Sequence, residues 1–229
     1  MKEQFYKLCY DFYERKVNIE SINTAHKTLI PKVQSPVNIN DFRPISLVSL
    51  PLKFLTKLLA NRLQKVIVAL VHKNQYGFIK TRNIQDCLAW SYEYIHLCHK
   101  SKKEIVIFKI DFEKAFDKVE YNAILHTMKC LGFGDKWISW ISCILNSASA
   151  SVLLNGVPGK HIICRRGVRQ GDPLSPQLYV LAAELLQYMI NKAHQDGILS
   201  LPLDHSFGLS YPIIQYADDT LIILPACPN

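Results

Sequence analysis

The sequence predicts an α+β fold, on three observations. Two short apolar runs, Pro212–Gln215 and Leu221–Leu224, flank Tyr216-Ala217-Asp218-Asp219 and read as a tight β-hairpin with carboxylates at its tip. Ile105–Ile110 is nearly all apolar, as expected of a buried central strand, and leads directly into Asp111. Leucines recur at three- and four-residue spacing through 51–71, and again from Pro173 or Ser175 to about Ala193, which is helical periodicity.

The totals bound the rest. The chain has 229 residues, enough for one large domain or two small ones, and its 49% hydrophobic content argues against disorder. A formal charge of +8 is a modest pointer to a polyanionic partner. The seven cysteines (Cys9, Cys87, Cys98, Cys130, Cys143, Cys164 and Cys227) are odd in number, widely spaced and without a C-x-x-C pair. This disfavours a disulfide framework or structural zinc and favours a reducing, intracellular compartment, nucleus or cytoplasm, over secretion. The longest unbroken apolar stretch, Val66–Val71, is too short to span a bilayer, so no membrane partner is expected.

In chain order, residues 3–17 read as an amphipathic helix with Phe5, Leu8, Cys9 and Phe12 on one face. Thr24–Pro31 is a strand candidate, and Val33–Asp41 a loop. Pro44 keeps Arg43 in extended backbone. A helix over Pro51–Val71 exposes Lys53, Lys57, Arg62 and Lys65. Gln75-Tyr76-Gly77-Phe78 is a turn, followed by Lys80, Thr81 and Arg82, a helix over 84–99 and a charged loop over 100–103. After Asp111 come helices over 121–131, closed by Gly132, and 134–146. A hairpin joins 149–154 to 161–165 around Asn155-Gly156, with a loop longer than two residues. The loop 166–176 is rich in glycine and proline and opens the last long helix, with Leu178, Leu181, Leu185 and Met189 on one side. A loop at about 195–210 precedes the final hairpin.

Each candidate functional residue has two local readings. The Asp218-Asp219 pair is a polar turn or a cradle for a hard divalent cation. Asp111 is a helix N-cap, or a strand-end acid whose desolvation requires a partner or a metal. Phe116 is the exception, a core ring on local grounds. The 166–176 loop is a structural helix start, or a place where glycines let backbone approach a ligand.

Four ordered blocks carry a resemblance. These are Asp41-Phe42-Arg43-Pro44-Ile45-Ser46-Leu47, Asp111-Phe112-Glu113-Lys114-Ala115-Phe116-Asp117, Gly167-Val168-Arg169-Gln170-Gly171-Asp172-Pro173-Leu174-Ser175-Pro176 and Tyr216-Ala217-Asp218-Asp219. From about Leu29 to Leu224 the chain resembles the reverse transcriptase domain of non-LTR (LINE-type) retrotransposons, most closely those of plants.

The resemblance implies a right-hand polymerase architecture with an antiparallel palm sheet packed on helices. Residues 1–28 would be a helical extension, 29–104 fingers, and 105–229 a palm mixed with finger elements, with the thumb absent. It implies an RNA-directed DNA polymerase, a nucleotidyltransferase using two Mg²⁺ ions, with RNA template, DNA primer and deoxynucleoside triphosphates as partners. Asp111, Asp218 and Asp219 would be the metal-binding triad, with the backbone carbonyl of Phe112 completing a site. Phe116 would lie under the sugar and exclude ribonucleotides. Gln170 and Gly171 would lie against the incoming nucleotide, and Arg43 and Lys53 would neutralise its triphosphate. Arg82 and Lys32 are further candidates for that role, or else touch template phosphates or water, whereas Asp117 and Asp172 read as structural. The missing thumb implies impaired activity of the chain on its own and an origin in a truncated element. The alternatives are a splicing-associated relative of group II intron type or a non-catalytic RNA-binding remnant.

Overall fold

The computed structural model describes residues 2–203 and 212–226. Cys227 and the end of the loop expected at 195–210 lie outside the described residues. In chain order the elements are α1 (Lys2–Tyr13), β1 (Thr24–Pro31), β2 (Phe42–Val48), α2 (Leu50–Leu63), α3 (Ile67–Leu70), α4 (Ile84–Lys100), β3 (Ile105–Asp111), α5 (Ala115–Lys118), α6 (Tyr121–Cys130), α7 (Asp135–Asn146), β4 (Ser149–Leu154), β5 (Val157–Pro158), β6 (Ile162–Ile163), α8 (Ser175–Gln195), β7 (Ile213–Tyr216) and β8 (Asp219–Pro225). The chain forms two compact units that interleave in sequence, 1–63 with 116–179 and 64–115 with 180–229. Each unit therefore takes chain from both sides of residue 104.

In the first unit β1 pairs antiparallel with β2 and parallel with β4, and β5 and β6 both pair with β4. Leu52, Leu55, Leu59 and Leu63 of α2, Ile124 and Met128 of α6, and Ile141 and Leu145 of α7 are all buried. Helix α1 stops at Tyr13, short of the expected residue 17. Arg15 adopts a left-handed φ of 58°, and the Lys16 N–H closes the end on the Asp11 carbonyl at 2.7 Å. The Asn155-Gly156 loop is shorter than expected. Leu154 pairs directly with Val157, and φ values of 51° and 80° make a two-residue turn of the hairpin-favoured kind.

The expected helix over 51–71 is broken. It ends at Leu63, at the limit of the first unit, and a short helix resumes at Ile67 in the second.

The second unit is built on a three-stranded antiparallel sheet in the order β3-β8-β7. Side chains alternate across it. One face sends Ile214, Leu221 and Ile223 against Cys87, Tyr94 and Cys98 of α4. The other sends Ile213 and Ile222 against Ile190 of α8. β3 is the edge strand rather than the expected buried central one, and Val106, Ile107 and Phe108 are 49%, 47% and 53% exposed. An apolar run records composition, whereas burial depends on having neighbours on both sides, and among the described residues β3 has one. Leu185 and Met189 of α8 are likewise 45% and 58% exposed, while Leu178 and Leu181 are buried as expected.

Candidate active site: an acidic turn and a glycine-rich loop

The acidic hairpin lies wholly in the second unit. Tyr216 pairs with Asp219, so the turn consists of Ala217 and Asp218 alone, and Ala217 takes a φ of 57°. Asp219 therefore stands in the ladder at the start of β8 rather than at the tip. Its neighbour on the other side is Asp111, the last residue of β3. Cross-strand partners share a sheet face, so these two carboxylates lie side by side with Asp218 next in the chain. Lys109 is on the same face, its Nζ 3.5 Å from the Asp219 carboxylate, and both side chains are largely exposed.

Three carboxylates and the adjoining Phe112 carbonyl are hard oxygen donors, the chemistry that suits Mg²⁺. Among the described residues no three His, Cys, Asp or Glu side chains are grouped closely enough to hold an ion. Cation binding would therefore require the aspartate side chains to turn toward one another.

Behind the turn lies a contact that the sequence reading passed over as a plain turn. Gln75 is fully buried, and its Oε1 accepts the N–H of Gly77 at 2.8 Å and that of Ala217 at 3.0 Å. The backbone around it runs alongside β7, with the Tyr76 N–H on the Gln215 carbonyl at 2.7 Å and the Gln215 N–H on the Asn74 carbonyl at 2.9 Å. A Cβ on Gly77 would overlap the backbone nitrogen of Ala217. The sequence signal available was a glycine in a turn formed by Gln75-Tyr76-Gly77-Phe78.

Arg82 does not present its charge for a template phosphate. Its guanidinium donates to the carbonyls of Val68, Val71, His72 and Gln75, at 3.3, 3.1, 2.5 and 2.6 Å. Lys32 donates to the Asn40 carbonyl at 2.9 Å.

The remaining candidates belong to the first unit. Arg43 is exposed on β2, and Lys53 is exposed early in α2. The Phe116 ring stacks on Tyr179, with centroids 4.7 Å apart and planes 10° from parallel. The glycine-rich loop is pinned to the same segment. The Val168 N–H donates to the Phe116 carbonyl and the Gly167 N–H to the Val119 carbonyl, both at 2.7 Å. Gly167 has a φ of +80°, and a Cβ there would lie 2.5 Å from the Asp117 carbonyl oxygen, which explains the glycine.

At the other end of the loop the Ser46 N–H donates to the Gln170 carbonyl at 3.0 Å, holding Gln170 and Gly171 against β2. Arg169 is half-buried, and desolvation lowers its pKa. Its guanidinium donates to the Asn23 side chain, to the Asn23 carbonyl at 2.6 Å and to the Ser149 carbonyl at 3.1 Å. Asp172 accepts the Leu174 N–H at 2.8 Å at the start of α8, and burial raises its carboxyl pKa. Lys27, Asp117, Arg166, Arg169 and Gln170 line a cleft in this unit.

Residues 30–227 match the family described as Reverse transcriptase (RNA-dependent DNA polymerase). The chain belongs to the reverse transcriptase family. It is 29% identical to the Transposon TX1 uncharacterized 149 kDa protein of Xenopus laevis, over 89% of this chain and 15% of that protein. It is 30% identical to the Pol polyprotein of the type-2 retrotransposable element R2DM of Drosophila melanogaster, over 72% of this chain and 16% of that one. These are non-LTR elements, the type that the four blocks resemble. The chain thus spans about a sixth of the length of these curated relatives.

In fold, this reverse transcriptase domain is similar to apo telomerase from Candida tropicalis truncated from its C-terminal domain. The TM-score is 0.58 at 15% identity, covering 89% of this chain and 44% of that one. Telomerase from Candida albicans gives a TM-score of 0.59 at 12% identity, covering 89% of this chain and 38% of that one. No helix among the described residues is long and apolar enough to cross a membrane.

Proposed function

We propose that this chain carries the nucleotidyl-transfer centre of an RNA-directed DNA polymerase, extending a DNA primer on an RNA template from deoxynucleoside triphosphates. The observation that carries the reading is the pairing of Asp111 with Asp219, with Asp218 in the adjoining two-residue turn. Two strands distant in sequence bring all three acids to one end of a sheet. Asp111, Asp218 and Asp219, with the Phe112 carbonyl, would hold Mg²⁺. When bound, such ions polarise the attacking 3′-hydroxyl and neutralise the leaving pyrophosphate.

The other roles follow from family membership, residue by residue. Arg43 and Lys53 offer free-standing positive charge to a triphosphate. Gln170 and Gly171 present backbone to the nucleotide, and the Phe116 ring tests the sugar for a 2′-hydroxyl. Residues 29–104 and 105–229 would supply fingers and palm.

Primer extension on an RNA template with Mg²⁺ tests this. Extension by the wild-type chain, lost in Asp218→Asn, supports the reading. RNA binding without extension, unchanged in that variant, supports a non-catalytic RNA-binding role instead.

A further inference from the structure

We propose that Gln75 is a positioning residue for the acidic turn, holding Ala217 in the left-handed conformation that sets Asp218 and Asp219 for cation binding. The cation-binding part of this inference rests on the polymerase reading above. The hold of Gln75 on the turn rests on hydrogen bonds alone.

Ala217 is a non-glycine residue at a φ of 57°. Such a conformation costs on the order of 1–3 kcal/mol and persists only where the surroundings enforce it. The two-residue turn between paired Tyr216 and Asp219 calls for a positive φ there, and a side-chain amide from a segment 142 residues away in sequence holds it. Gln75 Oε1 accepts the Ala217 N–H, and Nε2 points toward the Ala217 carbonyl at 3.5 Å. Oε1 also accepts the Gly77 N–H, so one oxygen ties the turn to its own loop. The loop in turn is fixed to β7 by the two backbone bonds around Gln215, and the Arg82 guanidinium holds the Gln75 carbonyl at 2.6 Å.

Space-filling alone does not require an amide at this position. A leucine occupies a similar volume, but it would leave two buried N–H groups without an acceptor, about 1–3 kcal/mol each. One of those N–H groups belongs to the residue immediately before Asp218. The layer behind the turn is otherwise polar as well. Gln215 and Thr220, cross-strand partners, are buried beneath it, with Gln215 Oε1 and Thr220 Oγ1 unpartnered among the described residues. A polar layer under an acidic turn is a costly arrangement for stability, and it fits a part whose task is orientation.

The test uses the 229-residue chain with Mn²⁺ as the probe. Gln75→Leu removes the acceptor. Gln75→Glu keeps Oε1 and, protonated in a buried setting near pH 6, restores a donor. Amide hydrogen exchange at Ala217 is read against Ile222 as internal reference, and Mn²⁺ affinity is measured by calorimetry. In Gln75→Leu the Ala217 amide is expected to exchange at least about tenfold faster while Ile222 is unchanged. Mn²⁺ affinity is expected to fall about 10- to 100-fold, the usual effect of losing a group that orients a metal ligand. Gln75→Glu is expected to return both toward wild type.

Retained Ala217 protection, or equal acceleration at Ala217 and Ile222, would overturn the positioning role. Should Gln75→Leu not fold, Gln75→Asn, one methylene too short to reach Ala217, is read the same way. A wild-type chain that binds no Mn²⁺, or binds it equally well as Asp218→Asn, defeats the polymerase reading and the cation-binding part of this one. The exchange data still decide whether Gln75 holds the turn.

Discussion

Asp111 and Asp219 are direct cross-strand partners at one end of the β3–β8 ladder, two like charges on the same face. Directly opposed like charges destabilise a sheet by about 0.2–1 kcal/mol. The Lys109–Asp219 ion pair at 3.5 Å offsets little of this, because both side chains are largely exposed. The arrangement is therefore a strain that a divalent cation would relieve.

The first prediction is that, without divalent cations, Asp111→Asn is more stable than wild type by a few tenths of a kcal/mol, up to about 1. Mg²⁺ at about 100 times its Kd should then stabilise wild type by about 2.7 kcal/mol and the variant much less. Urea melts of both proteins with and without Mg²⁺ check the reversal of order.

A second prediction concerns Gly77, whose missing Cβ leaves room for the Ala217 backbone. Gly77→Ala forces the two segments apart and should cost about 1–3 kcal/mol, as overpacking does. Gly134→Ala is the control. No atom lies within 4 Å of a Cβ there, and its φ is not in the left-handed region. Its effect should stay under about 1 kcal/mol. Equal melting temperatures for the two variants would remove the close-approach argument.

Much of this arrangement was legible in the sequence, and the part that was not has physical causes. Pro31 marks the end of β1, and the apolar runs on either side of Asp218 and Asp219 give the final hairpin. That Asp111 is the partner of Asp219 could not come from periodicity, which places strands without pairing them. The resemblance grouped Asp111 with Asp218 and Asp219, and the register of β3 on β8 supplies the pairing. The edge position of β3, the break at Gln64–Val66 and the interleaving of the two units depend on neighbours that are distant in sequence. Arg82 shows the limit most directly. Beside Lys80 it resembles a phosphate ligand, and only the folded loop reveals four carbonyls converging on its guanidinium.

The third prediction is a pH dependence centred on Glu184 in α8. Its Oε2 accepts the His72 N–H at 3.0 Å, while Oε1 is buried without a partner among the described residues. Burial pushes its pKa up from 4.5 to about 7, against the opposing effects of the His72 hydrogen bond and the Arg82 charge. Between those values the folded chain keeps a proton that the unfolded chain releases. This stabilising contribution is complete below 4.5 and lost as the pH passes 7, with a steepest slope of about 1.4 kcal/mol per pH unit. His72 acts with the opposite sign, because burial lowers its pKa below 6.5 and acid works against the fold. Glu184→Gln isolates the carboxyl. Measured by urea unfolding, the variant should gain on wild type from pH 5 to about pH 7 and level off by pH 8. A constant difference over that range would show that the Glu184 pKa is not raised in the folded chain.

The last prediction concerns the Phe116–Tyr179 stack. If Phe116 tests the sugar, its ring must be held still, and Tyr179, buried on α8, is the group that holds it. A near-parallel aromatic pair of this kind contributes about 0.5–1.5 kcal/mol beyond its buried area. Phe116→Ala should raise the ratio of ribonucleotide to deoxynucleotide kcat/KM in primer extension. Tyr179→Leu should raise it less, because the ring remains but loses its support. The double variant should match Phe116→Ala alone, since the Tyr179 effect acts through the Phe116 ring. An unchanged ratio in Phe116→Ala, with extension intact, would return Phe116 to a packing role. A Tyr179→Leu effect that adds fully to that of Phe116→Ala would show that Tyr179 does not work through the stack.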